Sequence, residues 1–346
     1  MSIPVANVYY LLCYAWRHVD AADIVRLEEI AGLDKLHDLL GTVLANGTFR
    51  LVRSGVDRGY REVREDLAGV RGKIAVSETV ARALPRRGRL ACDFEELSHD
   101  VLHNRILRST LSCLLRVRNL DREVRERIKL AYRKLDGVRV LRLNQRLFGR
   151  VQLDRNRHNY RLLLSVCRLV HDCLLVDERS GNATFVDFRR DRNRMWEIFQ
   201  DFVTEFYRRE QRVYQVNRGG RRIAWNAVGT AEHDRGRIPR MEGDVLLDSP
   251  TRRIILDTKY YPEALTTRYG VSKLRPSHLY QILAYVRNRE ATTDAGPRHE
   301  GMLLYPVVDA PLPVDVCLEG FWIRARGIDL AQAWRGIRAD MLALIT

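Results

Sequence analysis

Hydrophobic residues recur every three or four positions along several stretches of the first half of the chain, which predicts helices there. The predicted helices span residues 27–44, 100–120, 121–135 and 160–175. An apolar and aromatic segment, 5–16, precedes them and is expected to be either an interface or a buried core element. Short runs flanked by glycine predict strands at 48–52, 59–63 and 72–76, so this half is expected to be mixed α+β.

The pattern changes near residue 187, where a helix with an aromatic face is followed by a series of strands. This helix spans residues 192–209 and carries Trp196, Phe199 and Phe206 on one face. Strand patterns follow at 212–216, 222–226, 244–247, 253–259, 301–307 and 314–325, with helices at 277–287 and 330–344. Such an order is typical of the α/β class. We therefore predict two domains, residues 1–187 and residues 188–346, the second with an α/β core.

Basic residues are in excess and concentrated in one region. The 346 residues carry a formal net charge of +15, which favours a polyanionic partner. Residues 101–161 hold 17 Lys and Arg against 5 Asp and Glu. On the predicted helix at 121–135, Arg122, Arg125 and Lys129 are expected to contact the phosphates of double-stranded DNA. The alternative is that this basic face meets a protein or solvent.

The sequence argues against several classes of protein. The longest apolar run, 8–16, is too short to cross a bilayer and lacks the basic start of a secretory signal, so no membrane role is expected. The six cysteines show no C-x-x-C spacing and are expected to be reduced thiols of a cytoplasmic protein. The chain also lacks the G-x-x-x-x-G-K-[ST] phosphate loop, so it is not expected to power a motor of its own.

The segment 243–259 carries the residues best suited to chemistry. Two apolar strands flank a turn, and pairing that is symmetric about Pro250 and Thr251 places Asp244 opposite Asp257. Because side chains alternate along a strand, Asp257 and Lys259 share one face. The hairpin thus gathers two carboxylates and an ammonium if its loop has two residues, although Pro-Thr is not a favoured two-residue turn.

Two carboxylates and a lysine in this arrangement suit a Mg²⁺ site that acts on phosphodiesters. Mg²⁺ prefers oxygen ligands, commonly one or two carboxylates completed by water and substrate phosphate. Lys259 is one of six lysines among 59 basic residues, which favours a role that needs a compact ammonium. On the next helix, Gln281 and Tyr285 lie four residues apart, share a face and could hold substrate. The alternative is an ordinary hairpin and helix whose polar side chains meet solvent.

The order of these elements resembles that of a PD-(D/E)xK nuclease: a helix, an Asp strand, a D-x-K strand and a helix with Gln-x-x-x-Tyr. The chain is further similar to the McrC family, the nuclease subunit of McrBC 5-methylcytosine restriction systems. The similarity includes the opening residues 3–16 and the run Asn-Arg-Ile-Leu-Arg at 104–108. It extends over nearly the whole chain and is strongest at 3–16 and 241–285.

The resemblance implies roles for the residues of the hairpin and the following helix. Asp244 and Asp257 would be metal ligands, and Lys259 would be the catalytic lysine. Gln281 and Tyr285 would support the site. The family is expected to cut DNA with Mg²⁺ only when a hexameric AAA+ GTPase partner, McrB-like, is bound to the N-terminal region.

Two positions depart from the family pattern. Gly243 stands where a proline is usual before the first Asp, which alters the entry to the strand but not the ligand. On the helix at 192–209 the pattern has Glu where this chain has Gln200, with Glu197 about one turn earlier. Glu197 is therefore a candidate third metal ligand, and its alternative is a solvated helix carboxylate.

Two other functions remain open at this point. One is a DNA-binding adaptor that keeps a nuclease fold without cutting, although the intact Asp244, Asp257 and Lys259 argue against it. The other is a free-standing repair exonuclease of the same superfamily. Exonucleases that hold an iron–sulfur cluster need four placed cysteines, which this chain lacks.

Overall fold

A computed structural model describes most of the chain. The residues that it describes are 3–18, 32–153, 158–176, 182–218, 222–261, 265–268, 271–293, 296–307 and 313–346. The predicted helix start at residue 27 lies outside these ranges.

The structure alternates helices and strands along much of the chain. The helices are α1 (Val5–Ala15), α2 (Leu36–Ser54), α3 (Val76–Ala81), α4 (Leu102–Leu115), α5 (Arg122–Lys134), α6 (Gln145–Gly149), α7 (His158–Cys173), α8 (Arg192–Glu210), α9 (Glu232–Arg235), α10 (Pro276–Ala291) and α11 (Trp334–Ala343). The strands are β1 (Gly59–Leu67), β2 (Lys73–Ile74), β3 (Leu90–Ser98), β4 (Leu174–Val176), β5 (Ala183–Phe185), β6 (Gln215–Arg218), β7 (Arg222–Ile223), β8 (Met241–Glu242), β9 (Val245–Asp248), β10 (Arg253–Thr258), β11 (Leu265–Arg268), β12 (Val271–Leu274), β13 (His299–Val307), β14 (Val314–Leu318) and β15 (Phe321–Asp329). Within the described ranges, no helix combines the length and apolar character that a bilayer span requires.

The chain forms two compact units, and its first helix belongs to the C-terminal one. One unit is Met1–Leu36 together with Asp187–Thr346, and the other is His37–Val186. The prediction of a single N-terminal domain at residues 1–187 therefore needs a correction. The sequence change near residue 187 marks the return of the chain from the inserted unit.

Aromatic packing explains why α1 belongs to the C-terminal unit. The Tyr14 ring lies 5.7 Å from the Phe202 ring and 5.5 Å from the Phe206 ring of α8. Near the other end of α1, Asn7 Nδ2 donates a hydrogen bond of 2.8 Å to the Leu330 carbonyl. The aromatic opening of the chain is thus a core element of this unit.

Six strands form the sheet of the C-terminal unit, in the order β14–β15–β13–β10–β9–β6. β13 runs parallel to β10 and to β15, and the other neighbours are antiparallel. α10 makes the crossover from β10 to β13 that a parallel pair requires. Its Ile282 and Val286 share an apolar core with Ile255 and Leu303 of the sheet. The predicted α/β class is confirmed.

Two predicted strands are wrong for reasons that the structure explains. Residues 48–52 lie within α2, where Gly47 does not break the helix but permits close packing. A Cβ at Gly47 would lie 2.2 Å from Leu163 Cδ2. Residues 314–325 form the hairpin β14–β15 instead of one strand. Its turn is Glu319 and Gly320, with φ of 51° and 80°, the left-handed values that a tight two-residue turn needs.

A buried carboxylate, Asp100, organises part of the His37–Val186 unit. Arg105 Nε donates to Asp100 Oδ1 at 2.6 Å, and Arg139 donates through its backbone N–H (2.9 Å) and through Nε (2.7 Å). Burial alone would raise the pKa of Asp100. The hydrogen bonds and charges of these arginines outweigh burial and hold the pKa well below its usual value. Asp100 therefore stabilises this unit as an anion.

Asp100→Asn is expected to lower the free energy of unfolding by about 2 to 3 kcal/mol at pH 7, since charge-assisted hydrogen bonds to a buried group are lost. A lowered carboxyl pKa gives stability that is present above the usual Asp pKa of 3.8 and is lost as pH falls below it. Urea unfolding from pH 7 to pH 3 should therefore show that the difference in free energy of unfolding between parent and variant becomes smaller in acid. Asp136→Asn, whose side chain is 90% exposed, is the matched control and should change little. A gap that persists unchanged at pH 3 would contradict this role.

Candidate active site

The hairpin β9–β10 has the register that the sequence predicts. Arg253 pairs with Asp248, and Leu256 pairs with Val245. One further step of this register aligns Asp257 with Asp244. The turn has two residues, and Ser249 closes it, because its backbone N–H and its hydroxyl both donate to the Arg252 carbonyl at 3.0 and 2.9 Å. These bonds explain how Pro-Thr is accommodated in so short a loop.

Asp244 is held by Thr258, which lies between Asp257 and Lys259 in the sequence. Its Oδ2 accepts hydrogen bonds from the Thr258 backbone N–H at 2.7 Å and from the Thr258 hydroxyl at 2.6 Å. Asp244 and Asp257 are 7% and 2% exposed, and Thr258 is fully buried. The first carboxylate therefore has a fixed orientation beside the second.

A chain of polar contacts joins Asp257 to α10. Lys259 Nζ lies 2.7 Å from Asp257 Oδ2 and donates to Gln281 Oε1 at 2.6 Å. Gln281 Nε2 in turn donates to the Tyr285 hydroxyl at 2.7 Å. The Lys259 backbone N–H donates to the Leu304 carbonyl at 2.9 Å, which extends the pairing of β10 with β13 beyond Thr258. The five predicted residues Asp244, Asp257, Lys259, Gln281 and Tyr285 thus form one site.

Burial of the Asp244 and Asp257 carboxylates raises the pKa of both. Burial, and next the negative charge of Asp257, raise the pKa of Asp244 to about 7. Burial also raises the pKa of Asp257, and the Lys259 ammonium opposes that shift. Keeping both carboxylates ionised at neutral pH needs more positive charge than one lysine supplies. A divalent cation with hard oxygen preference fits this donor set.

Glu197 does not join the two aspartates. Within the ranges that the structure describes, no three His, Cys, Asp or Glu side chains are grouped so that they could hold a metal. Glu197 is exposed on α8. The Trp196 indole donates to the Thr258 carbonyl at 3.4 Å, and Gln200, four residues later, lies on the same face as Trp196. The expectation that Glu197 is the third ligand is therefore not supported.

The three residues of helix α5 that were expected to contact DNA differ in their exposure and in their contacts within the protein. Arg125 donates to the Leu115 carbonyl at 2.5 Å and to the Val117 carbonyl at 2.7 Å, so it braces the end of α4. Lys129 Nζ lies 2.7 Å from Glu126 Oε1, and Arg122 is exposed. DNA contact by this helix stays a prediction, and it is better carried by Arg122 and Lys129 than by Arg125.

Sequence reasoning missed a group of residues that borders Lys259. His278 of α10 is buried, and its Nδ1 lies 2.9 Å from the Tyr305 hydroxyl in a hydrogen bond. Burial, and next the positive charge of Lys259, lower the pKa of His278 to about 4, so it is neutral at physiological pH. The available signal was its position three residues before Gln281, on the same side of the helix.

Known proteins resemble this chain over nearly its full length. The family model described as "McrBC 5-methylcytosine restriction system component" matches residues 10–306. The Type IV methyl-directed restriction enzyme EcoKMcrBC of Escherichia coli (strain K12) is 31% identical over 340 residues, which cover 98% of this chain and 96% of that protein.

The fold is also that of a solved structure. It matches a chain of the refined half-complex from a tetradecameric assembly of Thermococcus gammatolerans McrB AAA+ hexamers with bound McrC, with a TM-score of 0.62. The match covers 99% of this chain and 76% of that chain at 17% identity, so it bears on the fold alone. Together with the sequence matches, the observations confirm the predicted family. The chain belongs to the family of McrBC 5-methylcytosine restriction system components.

Proposed function

We propose that this chain is the nuclease subunit of an McrBC-like restriction system, a PD-(D/E)xK endonuclease that hydrolyses phosphodiesters of double-stranded DNA. The observation that carries the proposal is the buried pair Asp244 and Asp257 beside a lysine that is held on both sides. Burying two like charges together costs free energy, and a fold without catalytic need of them has no reason to retain the arrangement.

Asp244 and Asp257 would hold Mg²⁺, which when bound would polarise the phosphodiester and lower the pKa of a bound water. Thr258 donates two hydrogen bonds to Asp244 Oδ2, so the other oxygen, Oδ1, is the natural ligand atom. Lys259 lies between Asp257 and Gln281. Its ammonium would stabilise the negative charge that develops on the phosphate in the transition state. Tyr285, through Gln281, positions that lysine without touching the reacting atoms.

The net charge of the chain supports DNA as the substrate, and the free cysteine thiols support a cytoplasmic location. The net charge of +15 favours a polyanion. All six cysteines are free thiols, which is consistent with a cytoplasmic enzyme. The cytoplasm is also where a restriction system would meet foreign DNA.

Activation by a hexameric AAA+ GTPase is the second part of the proposal. The solved relative was obtained with McrB AAA+ hexamers bound to McrC. This chain has no phosphate loop of its own, and its Gly-Lys pair at Gly72 and Lys73 leads into strand β2 rather than a helix. A nuclease without a motor needs a partner to bring it to distant DNA and to restrain it on host DNA.

The test combines the purified chain, the cognate AAA+ GTPase and plasmid DNA. Double-strand cleavage should appear only when the chain, the GTPase, GTP and Mg²⁺ are all present, and EDTA should stop it. The GTPase alone with GTP and Mg²⁺ is the control. Robust cutting by the lone chain at physiological salt would favour the free-standing exonuclease, and DNA binding without any cutting would favour the adaptor.

A further inference from the structure

Two arginines from the starts of different helices meet over one tyrosine next to the candidate active site. Beyond the end of β10 and Lys259, the chain continues as Tyr260 and Tyr261. The Arg192 guanidinium, at the first residue of α8, lies 3.7 Å from the centre of the Tyr261 ring. The Arg275 guanidinium, at the residue before α10, lies 5.0 Å from the same ring. The proposed cleavage chemistry uses none of these three side chains.

The arrangement is fixed by contacts on several sides. Arg192 Nε donates to the Tyr260 carbonyl at 3.2 Å. The Tyr261 ring packs edge-on against buried His278, with ring centres 4.7 Å apart. Tyr261 is therefore a rigid support, and both guanidiniums are oriented before any ligand arrives, which lowers the entropy cost of binding.

In the part of the chain that the structure describes, the two arginines, unlike Lys259, have no matching carboxylate. Among the described residues, neither Arg192 nor Arg275 has an acidic side chain within ion-pair distance, and the buried Nε of Arg275 has no hydrogen-bond partner. Burial lowers the pKa of His278 most, and the positive charges of Lys259, Arg275 and Arg192 lower it further. Holding like charges together costs free energy, and binding of an anionic ligand would offset that cost.

We propose that Arg192 and Arg275 form a clamp for a phosphate group of the DNA strand, next to the phosphodiester that is cut at Asp244, Asp257 and Lys259. The assignment rests on the proposed nuclease function. Guanidinium groups bind phosphate through paired, charge-assisted hydrogen bonds. The clamp contacts the backbone and not a base, because an arginine already covers the Tyr261 ring. The nucleotide at this position is therefore held without its base being read.

The test measures DNA binding by the full-length chain in EDTA, so that no strand is cut. A fluorescent duplex is titrated at several salt concentrations with the parent, Arg192→Ala/Arg275→Ala and Arg287→Ala. The double variant should bind roughly tenfold more weakly. Its slope of log K against log salt should be smaller by about 0.9, the value for one phosphate contact on duplex DNA. The loss should be equal on A·T-rich and G·C-rich duplexes.

Arg287→Ala is the matched control, since Arg287 lies on the same helix α10 but pairs with Glu319 at 3.2 Å. It should keep the slope of the parent. Arg192→Lys/Arg275→Lys, which retains both charges, should keep the slope too and thereby show that the alanine effect is electrostatic. A parental slope and affinity in the double alanine variant would overturn the clamp, as would an equal loss in Arg287→Ala.

Failure of the clamp and failure of the nuclease proposal give different results. If the parent cuts DNA with its partner and the double alanine variant keeps the full slope, the clamp is wrong and the nuclease stands. If the parent never cuts DNA yet the double variant loses slope, the phosphate clamp stands as a backbone contact and the nuclease proposal is wrong.

Discussion

Asp257→Ala and Lys259→Ala are each expected to lower DNA cleavage by at least about a thousandfold in the presence of the GTPase partner, GTP and Mg²⁺. Asp257 would be a metal ligand, and Lys259 would stabilise the charge that develops on the phosphate. Neither side chain fills an apolar core, so both variants should stay folded and bind DNA in EDTA as the parent does. Lys259→Ala should lower the melting temperature, because it leaves the buried Asp257 without its cation. The measurement is the single-turnover cleavage rate.

Asp248→Ala is the matched control for this pair, because Asp248 lies on the same hairpin at the end next to the turn. It should cleave at nearly the parental rate. Glu197→Gln should also stay active, since Glu197 is exposed and is not grouped with the aspartates. Normal cleavage by Asp257→Ala or Lys259→Ala would contradict the proposed active site.

Deleting residues 1–185 is expected to unfold the remaining C-terminal unit rather than to free it. Tyr10 stacks on Trp334 with ring centres 4.6 Å apart, and Tyr14 packs on Phe202 and Phe206. Each large apolar side chain that loses its burial costs about 1.5 to 3 kcal/mol, and a domain has only about 5 to 15 kcal/mol in total. Loss of α1 therefore removes most of the stability of this unit.

The matched variant removes only the inserted unit, 37–186, and joins residue 36 to residue 187 by a flexible linker. It keeps α1 and should unfold cooperatively in circular dichroism, bind Mg²⁺ and show no stimulation by the GTPase. The 1–185 deletion should be aggregated or lack a cooperative transition. A well-folded, monomeric 1–185 deletion would contradict the structural role of α1.

Local rules predicted the register of the β9–β10 hairpin because everything they needed lies within sixteen residues. The turn at Pro250 and Thr251 sets the register, and the register alone aligns Asp244 with Asp257. The helix at 192–209 was also predictable, since its aromatic face repeats at the helical period and α8 ends one residue later.

Features that depend on distant residues could not be predicted in this way. Gly47 resembles a helix breaker until Leu163 is known to pack on it. The membership of α1 in the C-terminal unit depends on rings nearly 200 residues away. Arg192 begins α8 and Arg275 precedes α10, so only the fold brings them both to Tyr261.

The position of α1 has a consequence for how the protein is made. Asn7 needs the carbonyl groups of Leu330 and Gln332, and Leu330 is synthesised 323 residues after Asn7. At a translation rate of about 5 to 20 residues per second, the apolar helix waits roughly 15 to 60 seconds for these partners. During that time the C-terminal unit is incomplete, because residues that α1 packs on have not yet been made. A chain that stalls before Leu330 lacks the backbone carbonyls that hold Asn7, so its C-terminal unit stays incomplete.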